Sequence, residues 1–182
     1  MMDLVKIKKI DNHSKIKQTL LDLIDEEKGY KLSNGDHNTD VKYNISKTDW
    51  QQSPSKYVTF YLKNMKEYFE EYDFVNCSQA KVHNIWFHQY YKNDFHGWHV
   101  HGGCQFASVY YLELPNKKYA TQFYDYNDDK VINVNVEEGD LIIFPSFIPH
   151  QSPKILDDSR KTVISANYSF EELKKFYYEF DL

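Results

Sequence analysis

The chain has 182 residues and a formal net charge of −5, with 41% hydrophobic and 27% charged residues. That balance suits one folded domain with a sizeable core; it argues against disorder and against a broad nucleic-acid-binding surface. No apolar run reaches the length of a membrane span, and the stretch Met1 to Lys15 has lysines but nothing like the apolar segment of a secretory leader.

In chain order, Ser14 to Lys28 places Ile16, Leu20, Leu23 and Ile24 on one helical face, with Gly29 as a stop. Gly35 to Ser53 is rich in Asn, Asp, Thr and Ser and reads as a loop with one short strand over Lys42 to Ile45. A second helix is predicted over Ser55 to Tyr72, where Val58, Tyr61, Leu62, Met65 and Phe69 recur at helical spacing. Both helices and the loop are expected to flank the mouth of any pocket.

After Phe74 the period changes to two. Lys81 to Tyr91, Gly97 to Val100, Phe106 to Leu114, Ala120 to Tyr126, Val131 to Val136, Asp140 to Phe144 and Lys161 to Phe170 read as strands, separated by Gly, Pro, Asn and Asp clusters. Many short strands at close spacing predict a sandwich or jelly roll and not a βαβ sheet. Glu171 to Phe180 reads as a last helix. The expected layout is one domain over 1–182: helical support over 1–74, a β core over 75–170 and a C-terminal helix over 171–182. Cys77 and Cys104 form no CxxC pair and read as free thiols, which points to a reducing cytoplasm.

Five of the eight histidines lie between His83 and His101. In the strand-like WHVH, His99 and His101 stand two apart and project to one face, the arrangement that two ligands of one metal need. His150, closing GDLIIFPSFIPH, is the natural third ligand. Three protein ligands leave positions open on a metal, as catalytic sites do. An HxH pair alone is unspecific, since many such pairs are surface or core residues. Arg160 opens the apolar strand RKTVISANY, where a guanidinium needs an anion; a carboxylate is the expected match. The competing reading has it facing solvent beside Asp157 or Asp158. Asp94 and His96 read as residues of a solvated turn or as partners that support the ligands from behind, and Trp86 and Trp98 as packing.

Four stretches, QYYKNDFHGWHVH, ASVYYLELP, EGDLIIFPSFIPH and RKTVISANYSF, together resemble the double-stranded β-helix core of 2-oxoglutarate/Fe(II) oxygenases. The likeness is to the phage- and bacteria-associated type, with prolyl hydroxylases more distant. It covers about half the chain, from His83 to Phe170. The resemblance implies a jelly-roll, cupin-like fold and an oxygenase that uses Fe(II), 2-oxoglutarate and O2 to hydroxylate a C–H bond of a peptide or small-molecule substrate, releasing succinate and CO2. It implies His99, His101 and His150 as metal ligands. It also implies Arg160 and Thr162 as partners of the far carboxylate of 2-oxoglutarate, with Tyr111 and, more weakly, Tyr90 in the same pocket. The sequence departs from the family at His101, where most members carry a carboxylate. Two other readings stay open: a cupin-like metal dioxygenase or isomerase that does not use 2-oxoglutarate, and a non-enzymatic β-sandwich binding module. Neither a membrane nor a nucleic-acid partner is expected.

Overall fold

The computed structural model of the protein describes residues 4–27, 30–31, 38–39, 55–70 and 80–170. The strand expected over Lys42 to Ile45, the helix expected over Glu171 to Phe180, and Cys77 lie outside these residues. The elements are β1 (Lys6–Lys9), α1 (His13–Asp25), β2 (Tyr30–Lys31), β3 (Asn38–Thr39), α2 (Lys56–Glu70), β4 (Ala80–Tyr90), β5 (His96–His99), β6 (Phe106–Glu113), a 3-10 turn (Lys117–Tyr119), β7 (Gln122–Asp125), β8 (Lys130–Asn133), β9 (Asp140–Pro145), β10 (His150–Ser152) and β11 (Lys161–Phe170).

The strands form two antiparallel sheets. One has seven strands in the order β1-β9-β6-β11-β4-β3-β2, the other four in the order β5-β10-β7-β8. This is the predicted jelly roll, a double-stranded β-helix.

Successive side chains on a strand point to opposite faces, and the central strands of the large sheet use both. On one face Phe87 of β4, Tyr110 and Leu112 of β6, and Ile164 and Tyr168 of β11 are buried in one cluster with Ile16, Leu20 and Ile24 of α1 and Tyr57, Tyr61 and Met65 of α2. On the other face Tyr90, Val109, Tyr111 and Val163 meet Phe123 and Phe144 in a second cluster. The pocket residues Trp86, His88, Tyr90, Lys161, Val163 and Ser165 have the parity of this second face. The two helices therefore back the large sheet on the side away from the pocket, and do not flank its mouth as expected.

Besides the two-residue strands β2 and β3, two strands escaped the sequence pattern. In β1, three lysines and one half-exposed Ile7 leave little apolar alternation to read. Among the described residues it is an edge strand paired to β9 alone, and lysine on an exposed edge discourages pairing with other chains. The other is β10, too short to register and hidden behind Pro149.

The turn into β9 joins the helical layer to the sheet. Gly139 has φ +88, its N–H donates to the Tyr111 carbonyl at 3.0 Å or less (2.9 Å), and its own carbonyl accepts from Ile10 N at 3.0 Å. A Cβ at this position would lie 2.9 Å from Cγ of His13, whose Nδ1 is 2.6 Å from the Tyr110 hydroxyl. Gly139→Ala should thus cost about 1–2 kcal/mol from the left-handed backbone alone, and more from the contact. The expected result is a lower urea midpoint with an unchanged slope.

Candidate metal centre and pocket

The sequence separation between the candidate ligands closes through strand pairing. His99, the last residue of β5, lies opposite His150, the first of β10, and His150 in turn lies opposite Phe123 of β7. Two residues on, His101 N donates to the Ser146 carbonyl at 2.9 Å, which ties the end of the WHVH stretch to the turn before β10. One ring nitrogen from each of His99, His101 and His150 lies within 4.8 Å of the others.

The hydrogen bonds also fix which nitrogens face the common point. His99 Nδ1 is 2.7 Å from the Gly97 carbonyl and His150 Nδ1 is 2.9 Å from the Ile148 carbonyl. A carbonyl only accepts, so both Nδ1 atoms carry the proton and both Nε2 atoms keep a lone pair. His101 Nε2 lies 3.1 Å from His150 Nε2. Two nitrogens each about 2.1 Å from one ion, at right angles, stand about 3 Å apart. The donor set therefore fits a metal ion bound on one side, with positions left open.

Burial favours the neutral form of His99 and His150. It pushes the His150 pKa well below the ordinary value, helped by the neighbouring His99 and His101, and lowers that of His99 against the pull of the Gly97 carbonyl. Neutral imidazole is the form that binds metal. His96 stacks on His99 with ring centres 3.9 Å apart, and Trp86 stacks on His101 at 5.8 Å. Trp86 Nε1 donates to His88 Nε2 at 2.6 Å. So Trp86 packs as expected, but against the candidate ligand, whereas Trp98 is 43% exposed. His96 lies on β5 and lines the pocket beside His99, so of its two expected places the solvated turn is not the one it takes. Asp94 shapes the preceding turn, accepting from Tyr91 N at 3.0 Å.

The remaining sequence-predicted residues divide by strand parity. Arg160 and Thr162 share the parity of the helix-facing side. Arg160 Nε and Nη2 donate to the two carboxylate oxygens of Glu113 at 2.8 and 2.9 Å, and the Thr162 hydroxyl donates to the same carboxylate. Asp25 of α1 is 3.9 Å from Arg160 Nη1. The anion that Arg160 needs is thus supplied by the protein itself, and neither residue lines the pocket.

Between them, Lys161 points the other way. Its side chain is fully buried and lines the pocket that His99, His101 and His150 also line. Nζ donates to the Tyr119 carbonyl at 2.7 Å and to Ser152 Oγ at 2.8 Å, and sits 4.8 Å from the centre of the Tyr90 ring. Among the described residues no carboxylate is paired with it, and burial lowers its pKa to about 7. Tyr90 lines the pocket. Tyr111 lies behind the wall: its hydroxyl donates to Thr121 Oγ1 at 2.8 Å and accepts from Thr121 N at 3.0 Å, and Thr121 lines the pocket. Sequence reasoning missed Lys161. The signal was there in its parity with Val163 and Ser165 along KTVISANYSF.

No family model matches the chain, and no curated protein matches its sequence. Solved structures do. Fold and topology are those of the 2-oxoglutarate/Fe(II) oxygenases, with prolyl hydroxylases among the structures that match. A 2OG-Fe(II) oxygenase family oxidoreductase from Burkholderia pseudomallei is similar with a TM-score of 0.70 at 10% identity, over 92% of this chain and 84% of that one. HygX from Streptomyces hygroscopicus, with nickel and 2-oxoglutarate bound, gives 0.70 at 8% identity, over 93% and 85%. A Trichoplax adhaerens prolyl hydroxylase in complex with a hypoxia inducible factor peptide fragment gives 0.64 at 13% identity, over 94% and 86%. None of the helices among the described residues is long and apolar enough to cross a membrane.

The buried lysine makes stability depend on pH. The folded pKa of about 7 lies below the ordinary 10.5, so between these values the unfolded chain holds a proton that the folded one has released. Stability of the metal-free protein should therefore rise with pH across that window, and the rise should be absent from Lys161→Met. Denaturant unfolding at pH 7, 8.5 and 10 measures it. On the acid side, His99 and His150 resist protonation, so stability should fall as pH drops below 6.5.

Proposed function

We propose that this protein is an Fe(II)- and 2-oxoglutarate-dependent oxygenase that hydroxylates a C–H bond of a peptide or small-molecule substrate. The observation that carries the reading is a single pocket between the sheets, lined by three imidazoles with converging lone pairs and by a buried lysine. The imidazoles of His99, His101 and His150 suit iron among other transition metals. The ammonium of Lys161 suits the far carboxylate of a dicarboxylic keto acid, with Ser152 and the Tyr90 ring beside it.

The role that the resemblance gave to Arg160 passes in this reading to Lys161. Thr162 likewise yields to the pocket hydroxyls Thr121 and Ser152, with Tyr111 holding Thr121 in place. Bound together, iron(II), 2-oxoglutarate and O2 supply the oxidising chemistry, with succinate and CO2 released. The chain contributes position and exclusion of water. Carbonyl-anchored rings hold the open side of the site in one direction, and buried Phe144 and Val163 line the wall. The peptide bound to the Trichoplax adhaerens enzyme supports a peptide substrate on this fold. Cys104 forms no disulfide among the described residues, in keeping with a cytoplasmic location.

The all-imidazole ligand set favours a second reading, a cupin-like dioxygenase without a keto acid. Lys161 weighs against it, since a lysine buried without a carboxylate partner among the described residues is costly unless an anion comes to it.

Titration of the Fe(II) protein with 2-oxoglutarate under argon separates the two. Bidentate chelation should give a visible charge-transfer band, and under air the protein should release succinate even without substrate. Lys161→Ala should weaken 2-oxoglutarate binding by roughly 10- to 100-fold, the loss of one bond to a charged group. Arg160→Ala should leave that affinity within about threefold while lowering stability, and His150→Ala should abolish iron binding. The absence of any band or succinate, or an affinity that follows Arg160 and not Lys161, would refute the assignment.

A further inference from the structure

The charge of the pocket is out of balance, and the imbalance names a substrate class. This inference rests on the metal and keto-acid reading above. A triad of neutral imidazoles adds no negative charge to a metal. A divalent ion and Lys161, kept protonated once a carboxylate faces it, bring three positive charges, and a dianionic keto acid returns two. One positive charge is left in a buried site, where charges interact far more strongly than in water.

Among the described residues no Asp or Glu lines the pocket. The nearby carboxylates are engaged elsewhere: Asp94 with Tyr91 N, Glu113 with Arg160 and Thr162, and Asp157 with the Tyr119 hydroxyl and Ser159. The other polar groups of the wall are neutral or basic. Two further imidazoles, His88 and His96, line the same pocket, with His96 stacked on the ligand His99.

We infer that the substrate carries an oxyanion, a carboxylate or a phosphate, and presents it to the open side of the metal centre near His96. The uncompensated charge then becomes a source of affinity and of selectivity against neutral analogues.

Cobalt(II) loading gives a direct readout, because its visible absorption reports each change around the ion. The cobalt protein with saturating 2-oxoglutarate is titrated with acetate, inorganic phosphate and acetamide. At least one oxyanion should bind tenfold or more tighter than acetamide, and the stronger of the two identifies the carboxylate or phosphate source. His101→Asp, which adds one negative charge, should weaken that binding by on the order of tenfold. His101→Gln, which leaves the charge unchanged, should keep the preference. Thermal unfolding with and without cobalt shows that each variant is folded and loaded. Equal binding of acetamide, or oxyanion affinity unaltered in His101→Asp, overturns the inference while leaving the metal reading intact. Failure of the wild-type protein to take up cobalt overturns both.

Discussion

The pocket depends on the alternation of side chains along β11. Arg160, Lys161 and Thr162 are consecutive, and the pleat sends the first and third to the helix-facing side and the second between the sheets. A slip of one residue would exchange the two cations. The slip is blocked from several sides. β11 pairs over its full length with β4 and along β6, and its apolar residues fill both clusters at once: Ile164 and Tyr168 behind the sheet, Val163 in front. Register is strongly specified where both faces are buried. The Arg160–Glu113 pair adds a bidentate, charge-assisted bond on the helix side, and its register partner Thr162 lies opposite Glu113 itself.

The same logic sets the candidate metal centre. His99 and His150 are brought together by cross-strand pairing of β5 and β10, not by local geometry. Their rings are then oriented by main-chain carbonyls two residues away on their own segments. A frame of backbone bonds therefore holds the ligand nitrogens before any ion arrives, so little rotamer freedom remains to be lost on binding.

Much of this was legible in the sequence, and what was not has physical reasons. The helices were readable from apolar spacing, and β4, β6, β9 and β11 from β-branched and aromatic alternation. β1 was not, because an edge strand needs solubility more than burial and its lysines erase the pattern. β10 was not, because three residues are too few to show a period. The side of the sheet that the helices take was also hidden, since a strand buried on both faces reads the same from either side. The three histidines were found from spacing and resemblance together. The buried lysine of the pocket was passed over for its neighbour Arg160, because arginine is the better carboxylate partner in general and the sequence does not show that Glu113 already holds it.

The carbonyl-anchored imidazole triad has a consequence for metal traffic. A site built only from nitrogen donors follows the general affinity series, in which nickel, copper and zinc all outrank ferrous iron. Nothing in three imidazoles discriminates against those competitors, and a hard oxygen ligand that would favour iron is missing from the set. If iron is the working metal, as proposed, loading follows the free-metal levels around the protein, and trace zinc would compete for the same three nitrogens.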